Sequence, residues 1–408
     1  MRIRRCTVAW LEPREVATFE LDDLLAGGTG VVSRLCWFAH APHLPAAAEI
    51  DAGHVPVLGA LGAVDWIERD GLDARFGADA VDALLDAGLL LAQGDGDTAD
   101  DGFRAIGWHP PAAVAHLAAR WEAIDGPKGM AEADVDTSEG LLRNHGAPPP
   151  PAPPSAHAGI EVPLPRIGRN DFDALLDSRA TCRNYPADAV LPLATFAQLM
   201  ARVFGARGIG HSAPGFDVYK RTSPSGGALH PTDCFLIVQR VEGIAAGLYR
   251  YRVDGHALEP VVPGVAPPRP GDAGTRPLGE APSRAWRAEE LRAFARIAVA
   301  GQEFFADAPV LCVLAPRFHR NFWKYRNHAK AYRVCVLDVG HLSQTLQLCA
   351  TEAGLGPFVT GAINEVDIER AFGMTAYAQS PLAVCGFGQR AATLVTSEFD
   401  PNRRVWPR

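Results

Sequence analysis

The turn at Pro224–Gly227, with the sequence Pro-Ser-Gly-Gly, leads into the apolar segment Cys234–Val238. Gly226 and Gly227 have no Cβ and tolerate positive φ, so the backbone of this turn can approach a flat ligand closely. Many turns are rich in glycine and serine, so this one needs support from a second segment. We expect the turn to form one wall of a site for a planar group.

A second segment with binding chemistry lies upstream, where Arg179, Thr181 and Arg183 occupy alternate positions. Two guanidinium groups and a hydroxyl in one short run can bind an anion, because arginine donates paired hydrogen bonds to phosphate oxygens. The phosphate of flavin mononucleotide (FMN) would fit such a site. The alternative is that Arg179 and Arg183 pair with carboxylates on the protein surface.

Lys324 and Tyr325 form the third candidate site, close to the cations Arg326, His328 and Lys330. A reaction that removes a hydride and a proton from adjacent carbons requires a base for the proton. A lysine whose pKa is lowered by burial or by neighbouring cations can serve as that base. Tyr325 could donate a proton, accept one or orient the reacting group. The alternative is that both side chains pack at the start of a helix.

The composition is that of a globular protein. The chain has 408 residues, of which 48% are hydrophobic and 21% charged, and is long enough for two or three domains. A net charge of −8 without a basic stripe argues against a nucleic-acid partner. Eight cysteines without a Cys-x-x-Cys pair favour buried, reduced thiols in a cytoplasmic protein over a metal site. We expect no secretory signal, no membrane span and, without a phosphate-binding Gly-x4-Gly-Lys-Ser/Thr loop, no ATP hydrolysis.

A proline run at Pro148–Pro154 marks the clearest domain boundary. Such a run lacks backbone donors and favours a stiff, extended spacer. We therefore predict an N-terminal domain over residues 1–145, a proline-rich linker over 146–164 and a larger domain over 165–408. A second stretch, Pro260–Pro282, predicts a long loop that either covers a peptide-binding cleft or is a disordered surface segment.

The N-terminal domain contains a helix, a strand and a turn in succession. Apolar residues recur at helical spacing in Asp79–Ala87, and Gly88 is typical of a helix C-cap. Leu89–Ala92 has the character of a short strand, and Gly94–Asp97 that of a tight turn. The order predicts a winged-helix-like domain, and its acidic charge argues against DNA binding.

The larger domain alternates helical and strand patterns, which predicts an α+β fold. One predicted helix is apolar almost all round, which indicates a core or interface helix that buries His341. The strands have continuous apolar runs, which indicates burial on both faces. The predicted helices are Phe172–Leu176, Leu193–Phe204 and Val334–Ala353, and the predicted strands are Cys234–Val238, Val310–Leu314 and Leu382–Cys385.

Taken together, these segments resemble the FMN-dependent nitroreductase superfamily, and more narrowly the SagB-type dehydrogenases that oxidise ribosomally made peptides. The resemblance covers roughly residues 165–408 and rests on the order of its motifs. They are the Arg-x-Thr-x-Arg-x-Tyr run, the Pro-Ser-Gly-Gly-Ala turn, Gly247–Tyr251, Lys324–Tyr325 and Gly354–Gly361. The resemblance implies a central mixed sheet flanked by helices, bound FMN and an interwoven homodimer. Ala228 stands where nitroreductases proper often have Asn, which agrees with the peptide-oxidising branch.

The resemblance also assigns roles to individual residues. It implies that Arg179 and Thr181 contact the phosphate and the ribityl chain of the flavin. Arg183 would lie at the pyrimidine edge of the ring, and Thr360 and Gly361 would supply the backbone donor at flavin N5. Proton transfer falls to Lys324 and Tyr325. The remaining implied flavin contacts are Pro224, Ser225, Gly226 and Gly227 at the turn, and Arg403 and Arg404 at the phosphate unless they form a disordered basic tail.

The implied function is FMN-dependent oxidation of a thiazoline or oxazoline in a ribosomally synthesised peptide. The implied partners are a modified precursor peptide and a separate cyclodehydratase. The N-terminal domain either binds a leader peptide at a sheet edge or supports the structure. Two alternatives stay open: an NAD(P)H-dependent flavin, nitro or ene reductase, including one that reduces a dehydroamino acid in a peptide, and a non-enzymatic scaffold.

Overall fold

The computed structural model describes residues 1–94, 98–152, 159–160, 162–261 and 286–406. Their contacts divide the chain into two compact units. The first unit comprises Met1–Arg120, Arg317–Arg333 and Thr375–Gln379, and the second comprises Trp121–Pro316, Val334–Met374 and Ser380–Arg408. Most of the predicted loop at Pro260–Pro282 and the tip of the predicted turn at Gly94–Asp97 lie outside the described residues.

The N-terminal 120 residues of the first unit alternate short strands and helices. The strands are β1 Arg2–Arg5, β2 Trp10–Phe19, β3 Val31–His40, β4 Ala48–Ile50, β5 Ile67–Glu68 and β6 Leu90–Ala92. The helices are α1 Leu21–Leu25, α2 Val55–Ala60, α3 Arg69–Phe76, α4 Ala78–Asp86, α5 Ala99–Ile106 and α6 Pro110–Ala118, with a 3-10 turn at Ala52–His54.

The first unit contains two three-stranded antiparallel sheets, in the orders β5-β1-β6 and β2-β3-β4. The predicted helix–strand step is confirmed at α4 and β6. Gly88, at φ 69°, donates to the carbonyl of Leu85, and Leu89 donates to that of Leu84. This pair of hydrogen bonds is a Schellman motif. Leu84 and Leu89 are both fully buried, so the motif also pins the start of β6 to the core.

Helix α5 is fixed to the first sheet by a buried ion pair and ends at a glycine. The Asp100 carboxylate accepts hydrogen bonds from Arg4 at 2.8 Å and from the Thr7 backbone at 2.7 Å. Gly107, at φ 80°, then ends α5 in the left-handed region, where a glycine is favoured. Trp108 and His109 follow, and α6 begins at Pro110, a residue well suited to a first helical turn.

The second unit contains most of the helices and strands of the remaining chain. Its strands are β7 Gly208–Ala213, β8 Phe216–Lys220, β9 Thr232–Val238, β10 Gly247–Arg252, β11 Ala257–Pro260, β12 Val310–Pro316, β13 Gly356–Thr360 and β14 Ala383–Gly388. The helices that follow residue 120 are α7 Gly126–Glu132, α8 Ser138–His145, α9 Asp171–Ser178, α10 Leu193–Phe204, α11 Ala288–Ala298, α12 Glu303–Ala306, α13 Phe318–Phe322, α14 Ala331–Glu352 and α15 Glu365–Phe372. Of these, α13 belongs to the first unit, and α14 begins there.

A six-stranded sheet in the order β11-β10-β9-β12-β14-β13 organises the second unit. Alternate residues of a strand point to opposite faces, and helices cover both faces here. On one face Leu236 and Cys312 pack in a core with α10 and α14. On the other, Phe235 and Leu311 pack in a core with α11 and α15. The predicted α+β fold and its continuous apolar strands are confirmed.

The pairing in this sheet differs from the mixed arrangement that the resemblance implies. Every adjacent pair of strands in it is antiparallel. Short hairpins and loops can join antiparallel neighbours, whereas parallel neighbours need a longer crossover. Among the described residues of this unit, the recorded parallel pairing is a single bridge between Leu191 and Val241.

Helix α14 has one buried face and one exposed face in the single chain. Cys335, Val339, Leu342 and Leu346 are buried on its inner face. Val336 and Leu337 are 46% and 54% exposed on the other, and His341 is exposed too. The expectation that His341 is buried is therefore wrong for the single chain, because it lies one helical turn after the exposed Leu337.

All eight cysteines are free, and all but Cys349 are buried. Cys234, Cys312 and Cys385 lie on three neighbouring strands within the sheet, with Cys312 directly opposite Cys385. In the described residues, no helix combines the length and the hydropathy that a membrane span requires.

Candidate functional site

The Pro-Ser-Gly-Gly turn has an unusual backbone. Gly226–Ala228 forms a 3-10 turn between β8 and β9. Gly227, Ala228 and His230 have φ values of 64°, 57° and 44°. A left-handed backbone is strained for Ala228 and His230, and such strain collects at ligand-binding sites in proteins. The conformation therefore marks this turn as a candidate binding element.

An acidic residue of α14 holds this turn in place. The Ser225 hydroxyl donates to an Asp338 carboxylate oxygen at 2.5 Å, and the Gly226 N–H donates to the other at 3.3 Å. The Ser225 oxygen also accepts from the His230 N–H at 2.9 Å. A Cβ on Gly226 would collide with Val334, so the close approach of this turn to α14 requires glycine at that position.

The surroundings of Asp338 are polar and nearly closed to solvent. Asp338 and Arg221 are each 4% exposed. Burial raises the pKa of the Asp338 carboxyl above its usual value, although the hydrogen bonds from Ser225 and Gly226 and the charges of His341 and Arg221 oppose the rise. A small cavity beside the turn is lined by Arg221, Pro224, Ser225, His230, Thr232, Asp338 and Leu342.

The arginine-bearing segment lies against the same helix. Arg179 is half-buried, and its guanidinium donates to the side-chain carbonyl of Gln347 at 3.3 Å. Asp338 and Gln347 are nine residues apart on α14, which corresponds to about 13 Å along a helix. Thr181 is half-buried, and the next residue, Cys182, donates to the Pro357 carbonyl at 2.8 Å. Helix α14 and strand β13 therefore position this segment.

Arg183 contacts the C-terminal part of the chain. Its backbone N–H donates to the Glu398 carboxylate at 2.6 Å, and its guanidinium donates to the Ser397 carbonyl at 3.0 Å. The guanidinium also lies 5.7 Å from the centre of the Phe304 ring. The contact with the pyrimidine edge of a flavin stays a prediction.

Thr360 and Gly361 follow the end of β13. The Thr360 hydroxyl oxygen accepts hydrogen bonds from the Gln302 side chain and from the Ala362 N–H, both at 3.1 Å. Gly361 is exposed, and a Cβ built on it would meet no atom within 4 Å. Its surface is therefore open to a ligand.

Arg403 and Arg404 are both exposed. They lie in a turn in which the Arg404 N–H donates to the Asp400 side chain at 3.0 Å. Among the described residues, no recorded contact joins either guanidinium to Arg179 or to the turn at Pro224–Gly227. Their role at a phosphate stays a prediction.

Lys324 and Tyr325 belong to the first unit, in the segment between α13 and α14. The Lys324 ammonium lies 5.5 Å from the centre of the Tyr325 ring, close enough for a cation–π contact. Lys324 is exposed in the single chain, so the burial that the sequence argument offered as one way to activate it is not found. Arg326, His328 and Lys330, which follow it in the sequence, are exposed as well.

The geometry of the second unit fits a phosphate-bearing, planar cofactor. Within the described part of the chain, no carboxylate lies at ion-pair distance from Arg179, so its positive charge is available to an anion. The turn at Pro224–Gly227 offers glycine-rich backbone, is followed by the strained residues Ala228 and His230, and is hydrogen-bonded to α14, the helix that Arg179 also contacts. A cation and a glycine-rich turn that both contact one helix can hold a phosphate and a flat ring, respectively.

Sequence reasoning missed three residues of this site: Asp338, Gln347 and Arg221. Asp338 lies in the apolar run Val336–Val339, and a lone carboxylate in such a run was the signal that could have found it. Gln347 carries no comparable signal, because its partner Arg179 lies 168 positions away in the sequence.

This chain is similar to members of a known protein family. The profile of the Nitroreductase family matches residues 176–389, just over half of the chain. The chain is 26% identical over 231 residues to the putative nitroreductase MJ1384 of Methanocaldococcus jannaschii, covering 57% of this chain and 97% of that protein. It is 27% identical over 165 residues to the trifolitoxin-processing protein TfxB of Rhizobium leguminosarum bv. trifolii, covering 40% of this chain and 38% of that protein.

Solved structures with detectable likeness include a chain of the E. coli microcin synthetase McbBCD complex with truncated pro-MccB17 bound. That match has 18% identity and a TM-score of 0.49, and covers 71% of this chain and 94% of the other. A putative nitroreductase from Ralstonia eutropha JMP134 has 21% identity and a TM-score of 0.39, and covers 57% and 89%. On the extent of the profile match, this chain belongs to the Nitroreductase family, whose members are flavin-dependent oxidoreductases.

Proposed function

We propose that this protein is an FMN-dependent dehydrogenase that matures a ribosomally synthesised peptide by oxidising a thiazoline or oxazoline to the azole. The observation that carries the proposal is the nitroreductase-family match over residues 176–389, a range that includes Lys324 and Tyr325. The relationship to a protein named for processing trifolitoxin supports a peptide substrate. A SagB-type dehydrogenase would combine these features.

In this proposal the second unit holds FMN. Arg179 and Thr181 bind its phosphate and ribityl chain, and Arg183 lies at its pyrimidine edge. The turn at Pro224–Gly227 lies beside the ring, and Thr360 and Gly361 present backbone to the hydride-accepting position. Arg403 and Arg404 add positive charge at the phosphate. Bound FMN would supply a two-electron acceptor for the hydride that leaves the substrate.

Lys324 and Tyr325 transfer the proton. When a ring carbon of the azoline loses a hydride, the adjacent carbon must lose a proton for the double bond to form. The Lys324 amine accepts that proton, and the Tyr325 hydroxyl orients the ring or relays the proton. The peptide loses two hydrogens in all.

Three further elements complete the proposal. The exposed apolar face of α14 at Val336 and Leu337 supports a homodimer. Residues 1–145 form a winged-helix-like domain that binds the leader of the precursor peptide, joined by the 146–164 linker to the catalytic domain. A separate cyclodehydratase supplies the azoline.

Mass spectrometry tests the reaction. Purified protein loaded with FMN, incubated with an azoline-containing peptide, should yield a product lighter by two hydrogens. An azoline left unchanged by the loaded protein, across peptides with and without a leader, would contradict the proposal.

A second candidate function is NAD(P)H-dependent reduction of small acceptors. It is supported by the match to a putative nitroreductase, which spans 97% of that protein. Rapid anaerobic bleaching of the flavin by NADPH, followed by turnover of a nitroaromatic compound, would favour this reductase. Slow bleaching together with peptide oxidation would favour the dehydrogenase.

A further inference from the structure

The segment that carries Lys324 and Tyr325 has little regular structure of its own. It runs from the end of α13 at Phe322 to the start of α14 at Ala331. Lys324 and Tyr325 donate their backbone N–H groups to the Asn321 carbonyl, at 3.3 and 3.2 Å. Two side chains that act together must be held within fractions of an ångström, so this segment needs support from its neighbours.

Trp108 supplies support at the start of the segment. Its ring centre lies 4.6 Å from that of Phe318 and 4.7 Å from that of Phe322, both on α13. Trp108 is 4% exposed, and its indole N–H donates to the Tyr377 carbonyl at 2.7 Å. Aromatic contacts at these distances stabilise beyond the burial of area alone. Trp108 therefore fixes the helix from which the Lys-Tyr segment emerges.

Gly107 supplies support in the middle of the segment. Its carbonyl accepts a hydrogen bond at 2.8 Å from the N–H of Asn327, two residues after Tyr325. A Cβ on Gly107 would lie 2.8 Å from the Cγ of Arg326, so these two segments of the chain approach as closely as glycine allows. With φ at 80°, the position also favours glycine.

His116 supplies support at the far end. Its Nδ1 lies 3.1 Å from the hydroxyl of Tyr332, in the first turn of α14. The His116 ring also stacks on Trp108, with centres 5.4 Å apart and planes 14° from parallel. Burial lowers the pKa of His116 to about 4, so the ring is neutral at neutral pH and costs no buried charge.

We infer that Gly107, Trp108 and His116 are positioning residues that hold the Lys324–Tyr325 segment in its working geometry. The assignment to proton transfer rests on the proposed function, whereas the bracing of the segment rests on these contacts alone. Each contact lies within the first unit, and together they reach the start, the middle and the end of the segment. The α5–α6 connection and helix α6 thus brace residues that follow them more than two hundred positions later in the chain.

Amide hydrogen exchange on the full-length protein without cofactor tests the brace. Trp108→Phe and Trp108→Ala are compared with Trp37→Phe, a matched control in β3 that packs on the core of the same unit. Trp108→Ala should speed exchange at Lys324–Asn327 about tenfold, because local opening governs exchange. Trp108→Phe should restore part of the protection, and Trp37→Phe should leave these amides as in the wild type.

Two outcomes would overturn the inference. One is unchanged exchange at Lys324–Asn327 in Trp108→Ala. The other is equal acceleration across β1, β5 and β6, which would mean that Trp108 only stabilises the unit as a whole. Gly107→Ala provides a second route if Trp108→Ala does not fold, since it should free the same amides while leaving Trp108 in place.

Kinetics on the FMN-loaded protein distinguish this inference from the proposed function. A displaced Lys-Tyr pair should lower kcat for peptide oxidation about 100-fold in Trp108→Ala, with KM unchanged. Trp108→Phe should recover part of the rate. If the wild type oxidises no peptide while Trp108→Ala still frees the segment, the proposed function fails and the brace stands.

Discussion

Lys324 is the residue on which the proposed proton transfer depends. Lys324→Ala should keep the yellow cofactor and slow peptide oxidation at least 100-fold, the usual contribution of a general base. Lys128→Ala, which removes an exposed lysine of α7, is the control. Absorbance of bound flavin and the rate of mass change are the two measurements. Loss of colour in Lys324→Ala would mean that the residue is structural.

Arg179→Ala should weaken the binding of FMN, which Lys324→Ala should leave intact. Arg179→Ala removes the half-buried cation beside Gln347, and a charged hydrogen bond to a phosphate is worth roughly 1.5–3 kcal/mol. We expect the Kd for FMN, measured by fluorescence quenching, to rise at least tenfold. Arg202→Ala, whose cation pairs with Glu352 on the same helix, should bind FMN normally. Unchanged affinity in Arg179→Ala would remove this residue from the phosphate site.

Local chemistry made several single residues predictable. Gly88 is predictable as a helix C-cap, because helices commonly end at a residue in the left-handed conformation and glycine is the residue that adopts it most readily. Asp338 stands out as a carboxylate in an apolar run, but its partners Ser225 and Gly226 could not be named because they are more than a hundred positions away. His341 was predicted to be buried because the helix is apolar almost all round, yet one face of it is uncovered in the single chain.

At the scale of elements, a C-terminal segment is tied to the arginine-bearing segment through Glu398. Its carboxylate is fully buried and accepts from Arg183 at 2.6 Å, Asn184 at 2.8 Å and Trp406 at 2.8 Å, and it pairs with Arg390. Burial raises the pKa of Glu398, but these hydrogen bonds and the Arg390 charge outweigh it and leave the pKa below its usual value of 4.5.

A pH dependence follows from this lowered pKa. A carboxyl with a lowered pKa stabilises the fold above its unfolded pKa and loses that contribution as the pH falls through the folded value. Protection of residues 391–406 from proteolysis should therefore hold at pH 6 and decline below about pH 4.5. Glu398→Gln should weaken that protection at pH 6 and flatten its pH dependence. A pH profile that matches the wild type would contradict this assignment.

Periodicity and caps sufficed to predict the main elements of the second unit. Helix α10 begins and ends where its apolar repeat does, at Leu193 and Phe204. Strands β9 and β12 extend two residues beyond their predicted apolar runs, because strand pairing continues through Thr232 and Pro316. The antiparallel order of the sheet was not predictable, since it depends on which strands meet and not on their individual sequences.

At the scale of the whole molecule, the exposed face of α14 predicts self-association. Val336→Asp with Leu337→Asp should convert a dimer to a monomer in light scattering, because buried charges on both sides of a two-fold interface repel. Val190→Asp, at an apolar position 53% exposed elsewhere in the second unit, is the control. A wild type that is monomeric at micromolar concentration, or a double variant that stays dimeric, would contradict the predicted homodimer.

The grouping of residues 317–333 and 375–379 with the N-terminal 120 residues could not be predicted from the sequence. The proline run indicates a stiff stretch of chain, but it does not indicate which later segments pack against the N-terminal residues. This interleaving has a practical meaning for dissecting the protein. An amino-terminal fragment that ends at the proline run would lack Phe318, Phe322 and the Tyr377 carbonyl, which contact Trp108. The exposed apolar surface around Trp108 would make this fragment prone to aggregate. The carboxy-terminal fragment would keep Lys324 and Tyr325 but lose the residues that support them. The contribution of each half is therefore better measured after the two fragments have been mixed.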